Sequence, residues 1–368
     1  MKIISLSYKD ISRNWGFENL EFQQLTLLVG ASGVGKTQIL RAIKTLQGIA
    51  SGQSYNGVEW FVSFEIEGVR HKWEGAFELK GKDASVFDNK NEEKFSLAYE
   101  NIFSDGREIL DRNKERILFE GKETVKLSSS ESAVHLLKEE QLIYPIYWAW
   151  FQQVVELNAN LSTIKRFGKT TANLVAETLK TLINIQNSKF DVVTKLLLAD
   201  ILKEPILQTI KERYTSIFPQ VEDVRIGYFN QDDEELVSIQ IKEHGVDEWI
   251  AQNDISSGMY RSLLQIAELY LCASESVILM DEFENSLGVN CIDELTNDIL
   301  DDEREVQFIL TSHHPYIINN IPLSNWKIVT RKGGMVSVKN AADYRIGESS
   351  HDAFIQLIQL DEYTNGVS

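Results

Sequence analysis

The chain is poor in cysteine. Only Cys272 and Cys291 occur among 368 residues, which excludes a disulfide framework and gives no metal-ligand spacing. Both read as small buried apolar residues. Long apolar runs are missing too. The best candidate, Leu142 to Phe151, has about half of the ~18 residues that a membrane span needs, and Pro145 interrupts it. The first residues, Met-Lys-Ile-Ile-Ser-Leu-Ser-Tyr, carry no apolar core of signal-peptide type. A cytoplasmic protein with no membrane association is the expectation. Positive charge is scarce: 37 Lys and Arg face 55 Asp and Glu, a formal net charge of −18. That field repels nucleic acid on average and favours protein partners and a Mg-nucleotide as ligands. Repeats and low-complexity segments are lacking, and no helical stretch is long enough for a coiled-coil arm.

What remains is ordinary in bulk. The chain is 43% hydrophobic and 25% charged, values typical of a soluble globular protein. Its length suits one large domain with an insertion, or two domains. Three short apolar runs, Leu25 to Val29, Val277 to Met280 and Phe308 to Leu310, read as buried parallel strands with chemistry at their C-terminal ends. Residues 58–127 alternate or run β-branched and aromatic, the pattern of an antiparallel lobe with strands near 60–67, 70–79 and 116–127. From about 131 to 217 the chain turns helical. Tyr144, Tyr147, Trp148 and Phe151 share one helical face, read as core packing. A second helical stretch from about Lys189 is bent or broken at Pro205. Residues 223–229 and 236–242 then form a hairpin. The expected divisions are 1–130, 131–222 as a helical insertion, and 223–368.

The chemistry begins at Gly30-Ala31-Ser32-Gly33-Val34-Gly35-Lys36-Thr37, a complete G-x-x-x-x-G-K-[ST] loop. Backbone N–H groups of such a loop cradle phosphates, Lys36 reaches the β and γ oxygens, and the Thr37 hydroxyl binds Mg2+. An apolar strand leads in. Ile39, Leu40, Ile43 and Leu46 give the following helix, which also carries Gln38, a buried face, so its N-terminus points at the phosphates. ATP and Mg2+ are the expected cofactors. Gly168-Lys169-Thr170 repeats the tail of the motif, but Thr163 stands where the first glycine belongs, so it is rejected.

Ser276 to Glu282 is an apolar strand ending in Asp281-Glu282. Asp281 at that edge suits Mg2+, and Glu282 suits a general base that polarises the attacking water. Ser256-Ser257-Gly258 lies at the start of a helix with Met259, Leu263, Ile266 and Tyr270 on one face. Ser256 reads as an N-cap, or the N–H groups of that turn bind an anion. Thr311-Ser312-His313-His314-Pro315 ends the third strand. His313 is preferred over His314 as a phosphate- or water-contacting group, because Pro315 begins a turn.

As a set, these motifs resemble the head of an ABC-class ATPase of the AAA type related to the OLD and SMC proteins. The family reads SSG before a helix, then DE-x-E-x-x-L, then TSH before Pro; here Asp281 to Leu287 and Thr311 to His313 match. The resemblance implies an α/β P-loop NTPase: a mixed core sheet, an antiparallel β lobe and a helical insertion. It implies ATP hydrolysis with Glu282 and His313 as catalytic residues. It also implies a homodimer or higher oligomer in which Ser256, Ser257 and Gly258 act in trans on the partner's γ-phosphate. Anti-phage systems such as PARIS and Septu use ATPases of this kind beside a separate nuclease or toxin, and the stretch Ser349 to Phe354 is compatible with them. Departures exist. Gly288 follows Leu287 where the family often has His, which weakens the inter-subunit role of Asn285 and Ser286. Gln152 and Gln153 are poorly placed as a Q-loop. The residues after 330 are too few for a TOPRIM nuclease. Alternative readings are an SMC- or RecF-like DNA-repair ATPase acting on DNA, a transporter's nucleotide-binding subunit, and a scaffold whose ATP turns over slowly.

Overall fold

A computed structural model describes residues 1–368 except 82–93, 158–164, 167, 232–233, 285–288, 301–304, 345–349, 361–362, 364–365 and 367–368. The chain divides into two compact units. The first comprises Met1–Val154, Glu275–Asp281 and Glu305–Ser368; the second comprises Val155–Ser274 and Glu282–Arg304.

The first unit is built on one long mixed sheet. Its early strands are β1 (Lys2–Asp10), β2 (Trp15–Glu21), β3 (Leu25–Val29), β4 (Val58–Ile66), β5 (Val69–Phe77), β6 (Leu97–Ser104), β7 (Arg107–Asn113), β8 (Ile117–Phe119), β9 (Lys122–Glu123) and β10 (Val154–Glu156). Strands β11 (Lys165–Arg166), β12 (Val221–Gln231), β13 (Glu234–Glu243) and β14 (Ile250–Ala251) belong to the second unit. The first then resumes with β15 (Val277–Met280), β16 (Gln307–Thr311), β17 (Trp326–Lys332) and β18 (Met335–Asn340). The order is β10-β15-β16-β3-β17-β18-β2-β1-β4-β5-β6-β7-β8-β9.

Parallel pairing runs from β15 through β16 and β3 to β17, with Val277 beside Gln307, Phe308 beside Leu25, and Trp326 beside Leu27. Every residue of β3, β15 and β16 is buried. Parallel strands covered on both faces need such unbroken apolar runs. The three runs read from the sequence are therefore the core of the sheet, in the order that brings their C-terminal ends to one edge. Helix α1 (Lys36–Ala50) buries Ile39, Leu40, Ile43 and Leu46, as its periodicity requires. Each such side chain contributes roughly 1.5–3 kcal/mol by leaving water.

Beyond β1 the sheet is antiparallel. Two details differ from expectation. Residues 116–127 form the short β8/β9 hairpin, turned at Glu120 and Gly121, both with positive φ, as a two-residue hairpin turn demands. The aromatic stripe is not the core face. After α2 (Ala133–Leu136), helix α3 (Tyr144–Trp148) passes into a π-helical turn at Ala149–Gln153. The buried residues are Ile143, Ile146, Ala149 and Trp150, whereas Tyr144 is 49% exposed. The four aromatic residues instead stack pairwise along the helix, Tyr144 on Trp148 and Tyr147 on Phe151. The inward-facing Trp150 packs edge-on against Phe64 and Trp73.

The second unit holds α4 (Lys169–Leu179), α5 (Leu182–Gln186), α6 (Val192–Ile201), α7 (Ile206–Ile217), α8 (Ser257–Leu271) and α9 (Val289–Leu300). The chain breaks at Pro205, which begins α7. The hairpin β12/β13 is longer than 223–242 suggested, pairing Val221 with Glu243. The Arg213 guanidinium on α7 donates to both carboxylate oxygens of Asp298 on α9, at 3.1 and 3.2 Å. The Lys195 ammonium on α6 closes the end of α8 by donating to the Leu271 carbonyl at 3.0 Å. The units do not follow the divisions at 131 and 222. Residues 131–154 lie in the first unit because Ala133, Val134, Ile143 and Trp150 fill its core. The hairpin and α8 lie with the helices of the second. Cys272 and Cys291 are buried and not joined in a disulfide. Among the described residues no helix is long and apolar enough to cross a membrane.

Candidate functional site

The loop 30–35 joins β3 to α1 and is shaped by its glycines. Gly33 and Gly35 have φ of 82° and 113°, values that only glycine adopts readily. At Gly30 two constraints act together: φ is 155°, and a Cβ there would lie 2.3 Å from the Val329 carbonyl oxygen. Gly35 offers no side chain to cap α1, so the first-turn N–H groups are left for an anion. Lys36 is 6% exposed, and its ammonium donates to the Gly30 and Ala31 carbonyls at 2.7 and 2.9 Å. Ser32 and Gly33 are exposed, Ala31, Thr37 and Gln38 half-buried, and Val34 buried.

The strand order places β16 between β15 and β3, so three strand ends meet beside this loop. Asp281 follows β15. Its Oδ1 accepts hydrogen bonds from Thr37 Oγ1 at 3.1 Å and Thr311 Oγ1 at 2.8 Å. Phosphate loop and strand-end carboxylate are thus joined across 244 residues of chain. This is a hard-oxygen donor set, one carboxylate and one hydroxyl. Among the described residues no group of three or more His, Cys, Asp or Glu could hold a metal by itself. Mg2+ is usually held by one or two carboxylates plus substrate phosphates, so Thr37 and Asp281 fit it.

Two features had no sequence signal. Trp15, at the start of β2, brings its Nε1 beneath the loop. Trp15 Nε1 and Gln38 Oε1 are buried without hydrogen-bond partners, 3.6 and 3.4 Å from where a Cβ on Gly35 would stand. Gly366 packs on the loop's outer side: a Cβ there would meet Val34 Cγ1 at 2.5 Å, and its carbonyl accepts from Arg331 N at 2.8 Å. No periodicity or motif ties either residue to the loop.

Glu282 is exposed, with φ of 48°. A left-handed backbone at a non-glycine residue costs about 1 kcal/mol and clusters at functional turns. Asn285 and Ser286 lie outside the described residues. Past β16, Ser312 Oγ accepts from His314 N at 3.0 Å, and His314 caps α10 (Pro315–Asn320) with Pro315 in its first turn. His313 is left half-buried in the connection between strand and helix. Gln152 and Gln153 end the π-helical turn and lead directly into β10, the neighbour of β15.

In the second unit Ser256 caps α8, its Oγ accepting from Met259 N at 3.3 Å. Ser256 and Ser257 are exposed. The buried face of α8 is Tyr260, Leu263, Leu264, Ile266 and Ala267. Met259 and Tyr270 are only half-buried, so the face is rotated from the expected one. The rejected Gly168-Lys169-Thr170 opens α4 and is preceded only by the two-residue strand β11.

Residues 170–319 match the family described as "AAA domain, putative AbiEii toxin, Type IV TA system". That span holds Ser256 to Gly258, Asp281-Glu282 and His313, and not the phosphate loop. None of the curated proteins matches the sequence. Among solved structures, an SMC head bound to the C-terminal winged-helix domain of ScpA superposes with a TM-score of 0.55 at 15% identity, covering 92% of this chain and 98% of that one. The fold is that of an SMC-head-type P-loop ATPase. The SMC head domain from Thermotoga maritima gives 0.46 at 13% identity, covering 92% and 99%. An Smc head from Pyrococcus furiosus, with an extended coiled coil and bound to the C-terminal domain of ScpA, gives 0.48 at 14%, covering 94% and 98%. The family match spans 150 of the 368 residues, and the likeness to the SMC head is one of fold.

Proposed function

We propose that this chain binds and hydrolyses ATP, closes as a dimer around it, and thereby controls a separate effector protein. The observation that carries the reading is the bond from Thr37 Oγ1 to Asp281 Oδ1, which ties a phosphate loop to a metal-binding carboxylate. The loop N–H groups and Lys36 hold the phosphates. On binding, the Lys36 ammonium exchanges two neutral carbonyl acceptors for charged phosphate oxygens, a stronger bond. Thr37 and Asp281 would hold Mg2+, which would neutralise charge on the phosphates. Glu282 takes the proton of the attacking water, and His313 orients that water or the γ-phosphate.

Ser256, Ser257 and Gly258 are assigned to the partner subunit's nucleotide. The Ser256 hydroxyl is engaged within α8, so the backbone of Ser257 and Gly258 carries this assignment. ATP and ADP differ by the γ-phosphate, so they favour different states of the dimer. The partner that reads those states is a protein of nuclease or toxin type, in an anti-phage system of the cytoplasm. A protein partner accords with the net charge of −18 and with the ScpA domain bound to the similar SMC head.

Single-turnover hydrolysis by wild type and Glu282→Gln tests the enzyme claim. Removing the base is expected to slow the step by about 10²–10⁴, with ATP still bound and with crosslinks between Ser257→Cys copies forming only with ATP. Equal, negligible hydrolysis by both proteins would refute catalysis. Crosslinking indifferent to nucleotide would refute gating.

A further inference from the structure

We infer that Thr311 is a positioning residue for Asp281, through which strand β16 sets the affinity of the site for Mg2+. This rests on the ATP-site reading above. Thr311 is fully buried at the end of β16, after the apolar run Phe308, Ile309 and Leu310. A hydroxyl in such a place is costly unless it is bonded. Thr311 Oγ1 donates to Asp281 Oδ1 at 2.8 Å, closer than the 3.1 Å of Thr37.

The geometry has a chemical consequence. Among the described residues, both hydroxyl protons converge on Oδ1, and Oδ2 accepts none. Two donors on one oxygen fix the rotation of the carboxylate about its Cβ–Cγ bond. Oδ2 is then the oxygen that would be available to Mg2+. Thr37 must also serve the metal, whereas Thr311 has no such duty and can hold Asp281 with or without it. Partners that orient a metal-binding carboxylate typically change metal affinity by about 10–100-fold when removed.

The test is a Mg2+ titration of the binding of a fluorescent ATP analogue to the full chain, repeated in EDTA. Thr311→Val keeps the shape and removes the donor; Thr311→Ala removes both; Thr311→Ser keeps the donor. Val and Ala are expected to raise the half-saturating Mg2+ concentration about tenfold or more, with Ser within about twofold of wild type. Nucleotide affinity in EDTA and the unfolding temperature stay unchanged for Val. Thr311 is overturned as a positioning residue if Val titrates like wild type. It is equally overturned if both Val and Ala weaken binding in EDTA as much as in Mg2+, since the role is then structural. If wild type itself binds the analogue but ignores Mg2+, the metal-site reading fails along with it. If wild type does not bind the analogue at all, the ATP-site reading is what has failed.

Discussion

Alanine at Gly33 should show the cost of backbone conformation alone, and alanine at Gly30, where φ is 155°, that cost together with close packing. At Gly30 the new Cβ would stand 2.3 Å from the Val329 carbonyl oxygen and 3.2 Å from Val34 Cγ2. The first distance is about 1 Å short of the 3.4 Å at which contacts become ordinary. Val329 lies within β17, which pairs directly with β3 at Leu27, Leu28 and Val29. No flexible side chain can give way, so two paired strands must part at their ends. Forcing a methyl into a packed site costs about 1–3 kcal/mol, and lost strand pairing adds to it, for a total of about 3 kcal/mol. Gly33 has nothing within 4 Å of the same position, and only its φ of 82° opposes a side chain, at about 1–2 kcal/mol. Urea unfolding followed by tryptophan fluorescence would measure both. Six of the seven tryptophans (Trp15, Trp60, Trp73, Trp148, Trp150 and Trp326) lie in the first unit, so the signal reports on the unit that holds the loop. Gly30→Ala should lose about twice the stability lost by Gly33→Ala. If Gly30→Ala proves as stable as Gly33→Ala, the close packing of loop on β17 is refuted.

His71 is 6% exposed against Phe64, and burial holds its pKa at about 4 rather than 6.5. The unfolded chain therefore binds a proton first as pH falls. Stability present above pH 6.5 is lost progressively down to about 4, by up to about 3 kcal/mol, and His71→Phe should flatten the urea midpoint between pH 7 and 5. Glu100 is fully buried and accepts from Trp73 Nε1, Ser132 Oγ, Ala133 N and Arg112 Nη1. Glu100→Gln leaves the buried Arg112 guanidinium without its counter-charge and should cost about 3 kcal/mol in the same assay. A loss under about 1 kcal/mol would mean that the Ser128 and Glu131 carbonyls satisfy Arg112 by themselves.

The parts of this architecture that were legible in the sequence are those governed by short-range rules. Leu25 to Val29 could only be a buried strand, and the glycines that follow could only be a turn opening a helix. Pro205 broke a helix where its ring must. Asp281 and Thr37 were paired on chemistry alone, and their hydroxyl–carboxylate bond follows. The aromatic face of α3 has a rival at the same helical spacing: Ile143, Ile146, Ala149 and Trp150 are the residues that turn inward, and spacing alone does not choose between the two faces. Trp15 and Gly366 were missed for another reason. Trp15 reaches the loop through the sheet order, in which β18 lies between β17 and β2, and Gly366 through the bond that its carbonyl accepts from Arg331 on β17; periodicity carries no information about either. The cap at Ser256 was foreseen; what it does toward a second subunit depends on a surface that local pattern cannot supply.

Sheet order also explains why Thr311 escaped notice beside a motif that included it. In sequence it is two residues before His313 and thirty after Asp281, so it looks like part of the strand leading to the histidine. In space β16 is the middle of three parallel strands, and its last residue lies between the ends of its two neighbours. A residue there can touch both the phosphate loop side and the Asp281 side of the site; a residue at the end of β3 or β15 can touch only one. A buried hydroxyl at that middle position can therefore orient the carboxylate together with Thr37, through the same oxygen. The strand ends at Thr311, so Thr311→Val alters how Asp281 is held while leaving in place His313, the residue proposed to face the γ-phosphate.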